Sequence, residues 1–221
     1  MNIIFAHNSH NRPNTLKKTI EVEKTYFPNS EYYISITENG NISESDFNDI
    51  ENLKIIKTFG NTWQLGCVNC FYSVLSKISE EHSDGIIIFS HDDVYMKNYD
   101  VVEKTITKML NDDISFIVRR PQAFFGENYF MMEVVYLRLS HVKEFFTPFN
   151  CGLLLTENEI TKDINGAISA EAWLYSKINN AKNGVVIDYQ HNGNTYEGIN
   201  NNLINNLGYE HINLGLNGWK E

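Results

Sequence analysis

Residues 86–96, IIIFSHDDVYM, constrain this chain more than any other stretch. Ile86, Ile87, Ile88 and Phe89 form a continuous apolar run, bounded upstream by the turn-forming Ser83, Asp84 and Gly85. Such a run reads as a buried strand of a parallel sheet, because a strand with one wet face would alternate apolar and polar residues. It ends in His91, Asp92 and Asp93, three side chains able to bind a metal or hold a proton, before Val94 and Tyr95 resume the apolar pattern. Open α/β sheets place ligands at the carboxyl ends of their strands. Asp92 and Asp93 therefore fall where such a fold does its chemistry.

The preceding chain supplies the rest of such a sheet. Asn2 to Ala6 reads as a strand, stopped by the polar segment His7 to Pro13, and a helix follows from about Leu16 to Tyr26, capped by Asn14 or Thr15. Glu31 to Thr37 and Leu53 to Thr58 are the next strands, with a short helical turn expected between Phe47 and Leu53. From Thr62 to Glu81 the apolar residues Trp63, Val68, Phe71, Val74, Leu75 and Ile78 recur at helical spacing. Strands alternating with helices predict a doubly wound α/β sheet.

Beyond Asp93, helices are expected over Val101 to Leu110 and Ile168 to Ile178, and strands over Ile114 to Val118, Val134 to Leu137, Cys151 to Leu155 and Gly184 to Tyr189. The Asn- and Gly-rich tail from Gln190 reads as a mobile loop followed by a short helix. No internal repeat or interdomain linker is visible, so one domain is expected.

Charge narrows the function classes. The 221 residues carry 28 acidic and 18 basic side chains, a formal net charge of −10, and the pairs Lys17-Lys18 and Arg119-Arg120 make no basic stripe. Nucleic acid, whose phosphates demand clustered cations, is not an expected partner. An anionic substrate carrying its own metal remains compatible with an acidic surface. Cys67-Val-Asn-Cys70 has the spacing of a redox or zinc half-motif, but no second pair follows, and the three cysteines are read as ordinary reduced residues. The opening MNIIFAHNSHNRP lacks the pattern of a signal peptide, and no apolar run reaches transmembrane length. A soluble, cytoplasmic protein is expected, with peripheral membrane contact left open.

Gly60-Asn61, Gly66 and Asn69 form neither a dinucleotide fingerprint nor a phosphate-binding P-loop, and no nucleophile elbow occurs. The Asp92-Asp93 pair suits a hard divalent cation, which takes oxygen ligands and tolerates water in the remaining positions; it equally suits a solvated strand end. His191 follows the strand ending in Tyr189 and would emerge on the same sheet edge, where a nitrogen ligand favours a manganese-like ion; the alternative is a surface histidine. Glu171 sits in the first turn of a helix that Ser169 can cap. There it either complements the helix dipole or accepts a proton from a substrate hydroxyl.

With these positions in hand, the chain resembles the nucleotide-sugar-dependent glycosyltransferases of the GT-A fold, family 2-like, over roughly residues 1–191. The resemblance is carried by Ala6 to Arg12, Thr37-Glu38, Gly60 to Asn69, Ser90-His91-Asp92-Asp93, Ser169-Ala170-Glu171-Ala172-Trp173 and His191. The family's Asp-x-Asp is His91-Asp92-Asp93 here, so the first carboxylate is absent.

The resemblance implies a single GT-A-like domain: a mostly parallel central sheet flanked by helices, with a smaller antiparallel acceptor-side portion. Residues 1–95 would bind the nucleotide-sugar, residues 96–191 would form the acceptor side, and residues 192–221 a mobile loop and tail. It also implies Mn2+ or Mg2+ on Asp93 and His191, and donor contacts from Ala6, Asn8, Arg12, Glu38, Gly66, Asn69 and Asp92. Trp173 and Tyr129 would contact a glycan or other hydroxyl acceptor. Glu171, or alternatively Asp163, would be the base of an inverting hexosyl or deoxyhexosyl transfer; Asp188 is a further alternative. A nucleotidyltransferase and a noncatalytic glycan-binding module that stacks sugars on Trp63, Tyr129 and Trp173 are the competing readings.

Overall fold

The structure is a computed structural model that describes residues 2–38, 40–58, 63–121, 129–145, 155–160, 162, 166, 169–181, 183–192, 195–198 and 207–211, with backbone alone at 63, 121, 143–145, 157, 188–192, 195–198 and 211. In chain order the elements are β1 (Ile3–Ser9), α1 (Pro13–Tyr26), β2 (Glu31–Thr37), a 3-10 turn (Glu44–Phe47), β3 (Leu53–Thr58), α2 (Trp63–Glu81), β4 (Ile86–His91) and β5 (Val94–Met96). They continue with α3 (Tyr99–Asn111), β6 (Phe116–Pro121), β7 (Met131–Arg138), α4 (Leu139–Phe145), α5 (Ala170–Ile178), β8 (Gly184–Asn192), β9 (Thr195–Gly198) and β10 (Tyr209–His211).

An eight-stranded sheet runs in the order β3-β2-β1-β4-β7-β6-β8-β9, and β10 pairs with β5 in a separate two-stranded sheet. The β3-β2, β2-β1, β1-β4 and β6-β8 pairs are parallel, whereas β4-β7, β6-β7 and β8-β9 are antiparallel. The expected GT-A-like α/β fold is thus present: a mostly parallel sheet between helices, with a small antiparallel partner. β4 departs from its reading as an all-parallel strand, since it is parallel to β1 and antiparallel to β7. The link from Pro121 to Met131 is shorter than the dozen or so residues a parallel crossover needs, so β7 returns against β6 and meets β4 head to tail.

β4 is buried along its whole length because the sheet is covered on both sides. Ile87 and Phe89 pack with Val68, Phe71 and Leu75 of α2 and with Trp173 and Leu174 of α5. Ile86 and Ile88 pack with Leu16 and Ile20 of α1 and with Val102 and Ile106 of α3. Burying each such aliphatic side chain stabilises the fold by about 1.5–3 kcal/mol before the entropy of ordering is subtracted.

Element bounds moved where contacts distant in sequence act. β1 runs on to Ser9, since Asn8 and Ser9 stay in register with His91 and Ile36. Pro13 opens α1 instead of merely ending the strand: its fixed φ suits the first helical position, where no N–H is needed. The strand expected at Cys151 to Leu155 lies outside the described residues up to 154. In the tail, residues 195–198 and 209–211 are strands, not helix. Among the described residues no helix is long and apolar enough to cross a membrane.

Candidate active site

The carboxyl ends of β1, β2, β3 and β4 meet at one sheet edge, at Ser9, Thr37, Thr58 and His91. Directly beyond β4, the Asp92 carboxylate turns into the loop between β1 and α1. Its Oδ2 accepts from the Ser9 hydroxyl at 2.8 Å and from the backbone N–H groups of His10, Asn11 and Arg12 at 3.0, 3.4 and 3.3 Å. No side chain within α1 caps its N-terminus, and Arg12 occupies the N-cap position. Asp92 supplies the missing acceptor from another strand, and its charge complements the positive end of the helix.

The same loop is tied to β2. His10 Nδ1 lies 2.7 Å from Thr37 Oγ1, and the Asn41 N–H donates to the His10 carbonyl at 3.1 Å. Gly40 is required there, since a Cβ would stand 2.3 Å from the His10 carbonyl oxygen.

His91 shares the α2 face of β4 with Phe89, whose ring it meets edge-on at 5.7 Å. It is buried, and its Nε2 has no hydrogen-bond partner among the described residues. Across this face stands Glu171, in the first turn of α5. Ser169 is the N-cap, accepting from the Ala172 N–H at 3.1 Å; its hydroxyl lies 3.3 Å from Glu171 Oε2 and 2.6 Å from the Tyr129 hydroxyl. Burial raises the proton affinity of Glu171 above the ordinary carboxylate range, against the opposing pull of its own backbone N–H and of nearby His91.

The thiol of Cys67, on α2, reports the same crowding. Burial pushes its pKa well up, and the charges of Glu171, Asp92 and Asp93 add to the effect. Cys67 and Cys70 are both free and buried, and burial pushes Cys70 up to about 11, so both are protonated at neutral pH. Two further charges were missed from sequence. Arg119 on β6, 1% exposed, donates from Nη2 to Glu133 Oε2 of β7 at 2.8 Å, and Glu133 in turn raises Glu171. The available signal was a charge set inside each largely apolar strand, since charged residues are rarely buried without a partner.

The expected site residues separate into two groups. His91, Asp92, Asp93, Glu171 and Arg12 gather around the β4 edge and the α1 and α5 N-termini, and Asn8, one residue before the end of β1, pairs with His91 in the sheet register. Glu38 is exposed just past β2, with its N–H on the Thr58 carbonyl at 2.9 Å. Gly66 lies in the first turn of α2 against Thr37.

The others sit differently. Ala6 is fully buried between Tyr33 and Phe89 in the sheet register, so its side chain is core. Asn69 is buried and exchanges two hydrogen bonds with the Leu155 backbone, at 2.8 and 3.2 Å, an arrangement that fastens residue 155 to α2. Trp173 is 1% exposed and meets Phe71 edge-on, so its indole belongs to the core and not to an acceptor surface. Its place on α5 also made it the natural plug between α5 and α2.

Asp163, Gly60-Asn61 and Gly193 lie outside the described residues, as do the side chains of Trp63, Asp188 and His191. The backbone of His191 is on β8, which runs parallel to β4 but three strands away, about 14 Å at ordinary strand spacing.

No group of three His, Cys, Asp or Glu side chains able to hold a metal ion occurs among the described residues. A carboxylate oxygen and an imidazole nitrogen, as Asp93 and His91 offer at this strand end, have the donor chemistry for a cation that arrives with diphosphate oxygens and keeps some water. They do not make a protein-only cage.

No protein-family model and no curated protein sequence matches the chain. Solved structures do. The chain is similar to 4-diphosphocytidyl-2C-methyl-D-erythritol synthase of Anaerococcus prevotii, with TM-score 0.52, 10% identity, and 85% of this chain and 87% of that one covered. It is also similar, at TM-score 0.48 and 9% identity, to a glycosyltransferase involved in glycosylating the major capsid of PBCV-1, covering 85% and 83% of the two chains. A galactosyltransferase in complex with donor and acceptor sugar analogs gives TM-score 0.46 and 13% identity, covering 84% and 73%. At these identities the likeness to the synthase establishes the fold.

Proposed function

We propose that this chain transfers a sugar from a nucleotide-sugar donor to a hydroxyl of a glycan or other acceptor. The observation that carries the reading is Glu171: a half-buried carboxylate of raised proton affinity, fixed at a helix start, near His91 at the strand end that also bears Asp92 and Asp93. A base whose pKa is drawn toward neutrality is suited to take a hydroxyl proton.

In this reading the acceptor O–H gives its proton to Glu171 as its oxygen bonds to the anomeric carbon. The bond from that carbon to the donor phosphate breaks, and its electron pair leaves with the nucleoside diphosphate. A single displacement of this kind inverts the anomeric centre. Asp93 would hold Mn2+ or Mg2+, with His191 as the proposed second ligand. The ion, when bound, supplies positive charge to the departing diphosphate. Arg12, at the N-cap of α1, and Asn8 would contact the donor, and Tyr129, hydrogen-bonded to Ser169, would contact the acceptor. Asp92 serves this site by shaping the loop, since its Oδ2 is engaged with Ser9 and three backbone N–H groups.

Nucleotidyl transfer is the second reading, favoured by the name of the synthase whose fold the chain shares. One assay separates the two. UDP-, GDP- and dTDP-sugars with Mn2+ should release nucleoside diphosphate under sugar transfer. Pyrophosphate release from a nucleoside triphosphate and a sugar phosphate, with no turnover of any nucleotide-sugar, would replace the first reading by the second.

A further inference from the structure

On the opposite face of β4 from His91, four polar side chains are sealed from water. The Tyr209 hydroxyl donates to Glu23 Oε1 at 2.7 Å, Glu23 Oε2 lies 3.0 Å from His7 Nε2, and His7 Nδ1 lies 2.8 Å from Ser90 Oγ. Tyr209, Glu23, His7 and Ser90 are each 0% exposed. Strand alternation explains the separation from the candidate active site: His7 follows Phe5 on the α1 face of β1, and Ser90 follows Ile88 on the α1 face of β4. With a neutral imidazole the directions are consistent throughout: Ser90 donates to Nδ1, Nε2–H donates to Glu23, and Tyr209 donates to the other carboxylate oxygen. Burial and the Glu23 charge keep the Tyr209 phenol protonated, so the donor persists.

The two ends of this chain of hydrogen bonds bracket the Asp92-Asp93 turn. Ser90 precedes it in β4. Tyr209 opens β10, which pairs with β5 at Val94, Tyr95 and Met96, directly after Asp93. The segment before β10 is fitted closely to its surroundings. The Lys97 and Asn98 N–H groups donate to the Gly208 carbonyl at 2.8 and 3.1 Å, and the Tyr136 hydroxyl donates to the Leu207 carbonyl at 2.7 Å. Gly208 has φ +84°, and a Cβ there would stand 2.4 Å from Val102 Cγ2. From the other side, Thr19 Oγ1 donates to the Val94 carbonyl at 3.3 Å.

An apolar quartet would fill the same space without desolvating a carboxylate. What the polar chain adds is direction, because hydrogen bonds fix side-chain orientation where dispersion contacts do not. We infer that Tyr209, acting through Glu23 and His7, is a positioning residue that sets how the Asp92-Asp93 turn leaves the sheet. Its catalytic consequence rests on the proposed donor site; the mechanical link from residue 209 to residues 90–96 does not.

The test measures amide hydrogen exchange and Mn2+ affinity in the presence of UDP, on the full chain and its variants. In Tyr209→Phe, exchange at residues 92–97 should quicken about 10-fold while β2, residues 31–37, is unchanged. Mn2+ affinity should weaken about 10-fold, the scale of lost support behind a metal ligand. Glu23→Ala should behave likewise. Glu23→Gln should stay near wild type, since its amide can accept from Tyr209 and donate to His7, with the imidazole in its other tautomer.

Unchanged exchange at 92–97 in Tyr209→Phe, or acceleration spread evenly over β2 as well, would overturn the inference. So would local loosening with metal affinity and kcat both unchanged, which leaves a merely structural fastening. If the wild-type protein binds no Mn2+ with UDP and turns over no nucleotide-sugar, the proposed function fails, and the exchange result still decides the link.

Discussion

The Asp92 carboxylate caps a helix that lies far from it in the chain: its Oδ2 accepts at 2.8 Å from the hydroxyl of Ser9, 83 positions away, and from the Arg12 N–H at the N-cap of α1. These contacts join the end of β4 to the end of β1 and to the start of α1. Removing Asp92 should therefore weaken the fold as well as the site. Asp92→Ala strands the Ser9 hydroxyl and three N–H groups and should cost about 1–3 kcal/mol by urea denaturation. Asp92→Asn, which keeps an acceptor, should cost less.

Asp93→Ala should nearly abolish Mn2+-dependent donor turnover while the circular dichroism spectrum stays that of the wild type. A chelator should reproduce the loss in the intact protein and added Mn2+ should reverse it. Undiminished Mn2+ affinity of the variant by calorimetry would remove Asp93 from the metal site. His191→Ala, measured alongside, decides whether β8 reaches the same ion from three strands away.

Glu171→Gln should lower transfer by about 100-fold or more at saturating donor and acceptor, with donor affinity preserved. Near-normal transfer by Glu171→Gln together with a large loss in Asp163→Asn would hand the base to Asp163. The pH dependence of stability carries its own sign. The folded pKa of Glu171 is raised above its ordinary 4.5 by burial, so its contribution is fully present below that value and is lost as pH rises through the folded pKa. Thermal melts should show Glu171→Gln gaining on the wild type as pH rises above the carboxylate range, and no gain at about pH 4.

Trp173 should behave as core. Trp173→Ala should destabilise by about 3–5 kcal/mol, because the indole fills the contact between α5 and α2. Trp173→Phe should leave the acceptor KM unchanged. A selective rise in acceptor KM at unchanged stability would return Trp173 to the acceptor surface.

Glu81 gives a prediction independent of function. Lys54, Tyr33 and Lys77 hold its pKa down to about 2 from the ordinary 4.5. Its stabilisation is therefore present above 4.5 and lost as pH falls toward 2, and Glu81→Gln should match the wild type only at the acid end. A constant difference in melting temperature across that window would count against the ion-pair network.

The sequence by itself determined what local physics controls. β2 and β3 lie over the expected residues, because each is an apolar or alternating run bounded by turn formers. The address of Asp92 and Asp93, one step past β4, followed from the apolar run that precedes them. Only the tertiary structure decided the roles within that address. Asp92 is a cap because Ser9 is brought to it by strand pairing, and Trp173 and Ala6 are core because α2 and the sheet close over them. Tyr209, in a tail read as loop and helix, reaches Glu23 across 186 positions. Hydrogen bonds and packing over such separations have no period in the chain, so no pattern of neighbouring residues announces them; they exist only once the sheet order is formed.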